Sequence, residues 1–377
     1  MVGQRVVARD PSVTRVGDRM YFAGSNTPRF DSLPPADSLL TLVDREGTPL
    51  PRPAGHDVFM LPRVARLTDS AFAMMWGVPD SVPTDHRLPP WTNVARLWAA
   101  TWDSRRGWTE AHPLLAGAPV AWTEEVVTGP ITRDGDVLLA IPHRKGLQYL
   151  RYHEGMWRGV LIPLASSTAY ASVATDPRTA DVLIAYIAAV PDAMADANSV
   201  FVIRSENGGA SWSAPTLVSR SGGTPAFDVS LLNGLGGRMQ LVWMQDQTGD
   251  LVPEVIRRVE STDGGRTWQS PTDLRLPPGT RALKAVADAC GALHVIYKDW
   301  RGGGTTGHLD YARFTGDRWS AIEHLLPQAT VVSGSLASLD SADVLLVFLS
   351  RQDATDPREP LRLRYSRLAV HARESPN

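Results

Sequence analysis

The chain has 377 residues, 43% hydrophobic and 21% charged, a composition that supports a large core and excludes wholesale disorder. Its formal charge of −2 gives no reason to expect nucleic acid or an anionic membrane as partner, and its longest apolar run, over 182–190, is too short to span a bilayer. The single cysteine, Cys290, excludes an intrachain disulfide and a Cys-based zinc cluster. The opening MVGQRVVARDPSV has neither an apolar core segment nor a small-residue cleavage site, so the expected setting is the cytoplasm.

In chain order, a polar turn followed by a short apolar strand recurs at Met20, Ala71, Val137, Val182, Met239, Leu293 and Val344, with a mean spacing of 54 residues. Each strand is apolar, β-branched and aromatic, and Gly, Asp or Ser precede it, as in the second arm of a hairpin. A second landmark runs out of phase: Trp108, Trp157, Trp212, Trp268 and Trp319 each follow a polar turn, at spacings of 49, 55, 56 and 51. Two hairpins, or four strands, per unit of this length are the arithmetic of a propeller blade. Apolar residues fall in blocks of four to six bounded by glycine rather than at 3.6-residue spacing, which argues against a helical repeat. The sequence therefore predicts a single all-β domain over 1–377, a seven-bladed β-propeller of four-stranded blades. Six blades, the alternative, would need about 63 residues each and leave one landmark unexplained. The last unit has a hairpin over 330–349 and a third strand over 361–370. Its outer strand is expected at 4–8, giving a 3+1 blade that joins the N- and C-termini and leaves no open edge.

Two turns carry a more specific pattern. Ser261-Thr-Asp-Gly-Gly-Arg-Thr-Trp268 and Ser205-Glu-Asn-Gly-Gly-Ala-Ser-Trp212 resemble the Asp-box, or BNR repeat, of the sialidase-like propellers. That pattern reads Ser-x-Asp-x-Gly-x-Thr-Trp; the second copy in the chain matches every defined position, and the first has Asn207 and Ser211 at two of them. Asp263 is expected to accept backbone N–H groups of its own turn, Gly265 to take positive φ, and Trp268 to pack between neighbouring sheets. The resemblance implies the fold and places the boxes on the face away from an active site. Active sialidases carry Phe/Tyr-Arg-Ile-Pro, and the best match here, Phe59-Met60-Leu61-Pro62, has Met60 in place of that arginine. Arg63 follows, but strict alternation would turn it to the other face. The resemblance thus brings over no catalytic residue, and sialidase activity is not expected.

The opposite face collects the starts of the innermost strands and the loops after the second strands. It gathers carboxylates, imidazoles, cations and aromatics, as a polar ligand pocket does. His143, Glu124, His56 and Asp228 are the expected proton-transfer residues. Arg144, Arg281, Lys298 and Arg351 are expected to anchor or neutralise an anion, and Trp122, Tyr170, Gln245 and Trp300 to complete the binding surface, an aromatic beside cations suiting a flat or anionic ligand. The loops over 26–37, 80–91 and 191–199 are longer than tight turns require, as binding loops are. There is no Gly-x-Ser-x-Gly elbow, no His-Glu-x-x-His and no phosphate loop, and the Gly302/Gly304/Gly307 string opens no predicted helix. Cys290 is expected on an inner strand as a small buried residue. No cofactor and no metal is expected. The function read from these residues is a general acid–base enzyme of lyase, hydrolase or cyclase type, acting on a polar small molecule, sugar or biosynthetic intermediate. A non-catalytic glycan-binding propeller and a protein-interaction scaffold are the alternatives, and the oligomeric state stays open.

Overall fold

The computed structural model describes residues 8–16, 19–26, 40–44, 50–55, 60–79, 94–115, 119–121, 136–143, 145–189, 198–219, 224–299, 308–325, 330–338, 344–351 and 362–368. These residues form antiparallel sheets in chain order. The first is the meander β1 (Ala8–Val16), β2 (Arg19–Asn26) and β3 (Leu40–Asp44). The second joins β4 (Met60–Arg66), β5 (Ala71–Pro79) and β6 (Val94–Asp103), with β7 (Gly107–Trp108), β8 (His112–Pro113) and β9 (Pro119–Ala121) all on β6. The third is β10 (Val137–His143), β11 (Gly146–His153) and β12 (Met156–Pro163). The fourth is β13 (Thr168–Thr175), β14 (Val182–Ala189), β15 (Asn198–Ser205) and β16 (Thr216–Ser219). The fifth repeats that order with β17 (Ala226–Asn233), β18 (Met239–Gln245), β19 (Val255–Ser261) and β20 (Thr272–Arg275). In the sixth, β21 (Thr280–Ala287), β22 (Leu293–Asp299) and β23 (His308–Thr315) are followed by β24 (Arg318–Trp319) and β25 (Glu323–Leu325), both on β23. The seventh is β26 (Thr330–Ser338), β27 (Val344–Arg351) and β28 (Arg362–Leu368). No helix of the described residues is long and apolar enough to cross a membrane.

The recurrent apolar strand of the sequence is the second strand in six of the sheets and, as β10, the first described strand of the third. Six of the seven begin at the expected residue, and β2 begins one residue early, at Arg19. These strands are apolar without interruption because both their faces are covered. Val137, Leu139 and Ile141 of β10 pack with Met75 and Leu97 of the second sheet, while Leu138 and Ala140 pack with Val182, Ile184 and Tyr186 of the fourth. Likewise Met239, Leu241 and Trp243 face the fourth sheet and Val242 and Met244 the sixth. Side chains alternate across a strand, so one strand supplies two cores. Fully burying each side chain of this size contributes about 1.5–3 kcal/mol. The first sheet also lies against the last, with β1 in contact with β4, β26 and β27. Of the outer strand expected at 4–8, only Ala8 is among the described residues; it opens β1, opposite Asn26.

The two glycine-rich turns are built as their residue types dictate. Asp263 Oδ1 accepts the N–H groups of Arg266 (3.0 Å) and Thr267 (2.9 Å), and its Oδ2 accepts the Thr267 hydroxyl (2.6 Å). Ser261 Oγ accepts the N–H of Gly265 (2.8 Å), whose φ is 80°. A Cβ at Gly265 would collide with Leu183 of the preceding sheet, so glycine is required there on both counts. Asn207 and Ser205 repeat the scheme, with Ser211 N–H on Asn207 Oδ1 (2.8 Å) and Gly209 N–H on Ser205 Oγ (2.7 Å). Trp268 packs on the core shared by the fourth and fifth sheets. The expectation for Cys290 is corrected: it is exposed, in the turn after β21, because the Asp288 carboxylate ends that strand by accepting the N–H groups of Cys290 (2.8 Å) and Ala292 (2.9 Å).

Two pH dependences follow. Burial opposes ionisation of Asp263, but the hydrogen bonds from Thr267, Ser261 and Arg266 outweigh it and bring its pKa down from 3.8 to about 2. Its stabilisation is therefore complete above pH ~4 and lost as pH falls toward 2. Asp263→Asn should lower the urea midpoint at pH 7, and the gap from the wild type should close toward pH 2. A gap that stays constant with pH would contradict this. His294, fully buried between Asp288 Oδ2 (3.0 Å) and Tyr311 Oη (2.8 Å), is pushed below its ordinary 6.5 by burial, against the pull of Asp288. The unfolded chain thus binds the proton first. His294 should reduce stability as pH drops below 6.5, with a slope of up to about 1.4 kcal/mol per pH unit. His294→Gln should remove that component from urea titrations run between pH 7 and 5.

Candidate functional site

The strand register defines two ends of the sheets. The starts of the first strands pair with the ends of the second strands: Ala226 with Gln245, Thr280 with Asp299, Thr330 with Arg351, and Ala8 with Asn26. The glycine-rich turns lie at the other end, where Ser205 pairs with Val182 and Ser261 with Met239.

At the first of these ends the innermost strands share one irregularity. The pairing slips between Arg9 and Ser12, Met60 and Arg63, Thr168 and Tyr170, Phe227 and Ser230, Arg281 and Lys284, and Val331 and Ser333. Every sheet with a described innermost strand thus carries a β-bulge one to three residues into it. A bulge leaves an extra residue unpaired and re-aims the side chains beside it, which is why bulges gather at barrel rims and sites. The first residues after the bulges are Ser12, Arg63, Tyr170, Ser230, Lys284 and Ser333, serine in three sheets and Arg, Tyr and Lys in the other three. Two bulges are held in left-handed backbone without glycine, at Asp228 (φ 49°) and Ala282 (φ 61°), conformations that cost energy and persist only where surroundings enforce them. Asp228 Oδ2 accepts the Leu283 N–H of the next bulge (3.1 Å), so the two distortions are hydrogen-bonded to each other.

Arg63 is the residue that the alternation argument misplaced. Met60 pairs with Gly77 and Arg63 with Met75; residues two apart on β5 share a face, so the bulge puts Arg63 in register on the same face as position 60. Arg63 is 6% exposed and on the side of the third sheet, where Met75 and Ala65 pack. Proline inside a strand is confined to edges and bulges, and Pro62, like Pro11 in β1, was the available signal.

Among the expected site residues, His143 ends β10. Its backbone N–H is held by Thr168 Oγ1 (3.1 Å), and its ring Nδ1 accepts the Lys145 N–H (3.1 Å). With Nδ1 an acceptor, the neutral ring carries its proton on Nε2 and donates from there. Thr168 also donates to Gly146 O (2.6 Å), tying the β10–β11 turn to the next innermost strand. Lys145 belongs to that turn, so all three lysines of the chain lie toward this end: Lys145 in a turn, Lys284 beside a bulge, and Lys298, 5% exposed, opposite Arg281. Tyr170 is half-buried beside its bulge. The Gln245 amide serves the fold: Nε2 donates to Thr224 O (3.2 Å), Pro225 O (3.1 Å) and Asp246 O (3.0 Å), and Oε1 accepts from Trp243 Nε1 (3.1 Å). Arg281 and Arg351 are placed by their backbone register alone, and His56, Trp122, Glu124, Arg144 and Trp300 lie outside the described residues, as do most of the three long loops.

Asp246, Asp250 and Glu254 bring carboxylate oxygens within 4.8 Å of one another in the loop after β18. These oxygens already cap the loop: Asp246 accepts the N–H groups of Thr248 (2.8 Å), Gly249 (2.6 Å) and Leu251 (2.9 Å), Asp250 that of Val252 (2.9 Å) and Glu254 that of Gln247 (2.5 Å).

No protein-family model matches the chain, and no curated protein matches its sequence. Solved structures do match. A Dyadobacter fermentans protein of unknown function aligns at TM-score 0.56 and 14% identity, over 82% of this chain and 94% of that one. An ulvan lyase of polysaccharide lyase family PL25, bound to -[GlcA(1-4)Rha3S]-, aligns at TM-score 0.55 and 12% identity, over 96% and 92%. The Hadza microbial sialidase Hz136 aligns at TM-score 0.52 and 11% identity, over 94% and 74%. At such identities the likeness is one of fold. The chain has the all-β fold of the sialidase-like propellers.

Proposed function

We propose that the chain is a carbohydrate-acting enzyme whose site is the bulged end of its sheets, working by general acid–base chemistry of lyase, hydrolase or cyclase type. The observation that carries this reading is the bulge in every described innermost strand, all at one end, followed by Arg63, Tyr170 and Lys284 in three sheets and by serine in the other three. A lectin with equivalent pockets between blades would repeat its residues throughout, whereas Arg63, Tyr170 and Lys284 occupy three of the six equivalent positions and serines the other three, which suits one asymmetric site. Several fold neighbours support a sugar substrate: the ulvan lyase holds a glucuronate–rhamnose sulfate repeat. Cations at this end, Arg63, Lys284 and Lys298 with Arg281 and Arg351, suit an anionic sugar and a negative charge that grows in the transition state, and Arg144 is proposed to join them. His143, donating from Nε2, would polarise or bind a ligand oxygen; Glu124 and His56 are the remaining proton-transfer candidates. Asp228 is better placed to hold the fifth and sixth bulges together than to move a proton.

We read the seven sheets as seven blades of one closed ring, with the first blade seated beside the seventh and residues 4–7 extending the N-terminal strand toward β28. Deleting residues 1–7 should then lower the melting temperature and promote aggregation through the exposed edge. A truncated protein that melts like the full chain would refute this closure.

For activity, the full chain should be screened on uronate-containing and neutral oligosaccharides, with ultraviolet absorbance reading elimination and reducing-end release reading hydrolysis. Arg63→Gln, Lys298→Met and Arg144→Ala should each reduce kcat/KM on an anionic substrate by ~30-fold or more, as the loss of a cation from a low-dielectric site does. Lys298→Met keeps the buried stem, so its melting temperature should stay close to the wild type. Full activity in all three variants would empty this end of function, and several ligands per chain at saturation would favour the lectin.

A further inference from the structure

Three buried carboxylates in the described residues hold an imidazole, and they differ in how the arrangement is closed. Asp288 and Tyr311 occupy both nitrogens of His294, whose side chain is wholly buried. Asp136 holds His153 Nδ1 (2.6 Å) with one oxygen and Arg151 Nε (2.7 Å) with the other, so its charge is matched by a guanidinium. Asp310 is unlike both. It is fully buried in β23, its Oδ1 lies 2.6 Å from His324 Nδ1, and its buried Oδ2 has no hydrogen-bond partner. The His324 side chain is 58% exposed, and among the described residues Asp310 is its one polar partner. A buried carboxylate with an orphaned oxygen and a single imidazole partner leaves a charge in the core that a cation bound at that imidazole would balance.

The register supplies a second donor. Asp310 is directly opposite His324 across the β23–β25 pair, and His308 lies two residues before Asp310 on the same face of β23, exposed at the strand's start. His308 and His324 are therefore diagonal neighbours, a separation that long side chains bridge. With Nδ1–H donated to Asp310, His324 presents the Nε2 lone pair to solvent, the arrangement in which a carboxylate fixes the tautomer of a metal-ligating histidine.

We propose that His324 and His308 form a two-histidine site for a divalent transition metal ion, with Asp310 as the positioning residue behind His324. Imidazole donors favour zinc, nickel or copper over calcium or magnesium, whose ligands are oxygens. The remaining positions face solvent. The site lies on the outer strands of the sixth sheet, toward the bulged end, where His308 pairs with Asp299; it uses none of the residues assigned to the sugar-acting site.

The test is calorimetric titration of the metal-free full chain with Zn2+ and, separately, Ca2+. One Zn2+ per chain should bind saturably. His324→Gln and His308→Gln, both exposed and so expected to fold, should each weaken zinc binding at least tenfold. Asp310→Asn should weaken it roughly 10- to 100-fold while both histidines remain; its melting curve shows whether it is folded, and if it is not, the two histidine variants decide alone. Zinc should also raise the melting temperature of the wild type and not of His324→Gln. Absence of saturable zinc binding overturns the proposal. So does zinc binding that is unchanged in both histidine variants, or calcium binding that competes at the same site.

Discussion

The fold depends on the burial of one strand per sheet on both of its faces. β10, β14, β18 and β22 each divide their side chains between two cores, odd residues to one neighbour and even residues to the other. No sheet can bury its central strand alone, so each needs a sheet stacked on either side. This couples the units more strongly than the polar contacts between them. Those contacts, such as Ser172 Oγ accepting the Leu231 N–H (3.0 Å) and Asp228 accepting the Leu283 N–H, fix the relative height of successive sheets rather than their attraction. Hydrogen bonds of this kind contribute about 1 kcal/mol net, well below the apolar burial around them.

The same requirement makes the molecule two-ended. Where the glycine-rich turns lie, polar side chains are consumed in closing the chain: Asp263, Asn207 and Asp288 all cap their own turns. At the bulged end the backbone departs from regular pairing in six sheets, and the side chains beside the departures vary. A scaffold of equivalent units thus varies several side chains at the bulged end, while at the other end the named polar side chains close their own turns.

Much of the fold was legible because the double burial writes an uninterrupted apolar block into the chain every 54 residues or so, bounded by turn residues. The turn geometry at Asp263 was equally readable, since Asx acceptors and a left-handed glycine are local properties. The site was less so. Alternation predicts which way a side chain faces only while the ladder is regular, and the bulge at 61–62 reversed the reading for Arg63. The sequence pattern places Cys290 on an inner strand, whereas Asp288, two positions earlier, ends that strand by capping the turn. Tautomers also escape sequence: nothing in His143-Arg-Lys145 announces that the Lys145 N–H takes Nδ1.

The contact of β1 with β26 bears on how the chain reaches this state. Neighbouring sheets are also neighbours in sequence, so each core can assemble as its residues leave the ribosome, with short loops to close and little search. The first sheet is the exception: β1 ends at Val16, and the strand it rests against begins at Thr330. Its outward face must therefore wait, wetted, through nearly the whole of synthesis. That one late contact brings strands more than 300 residues apart in sequence against each other.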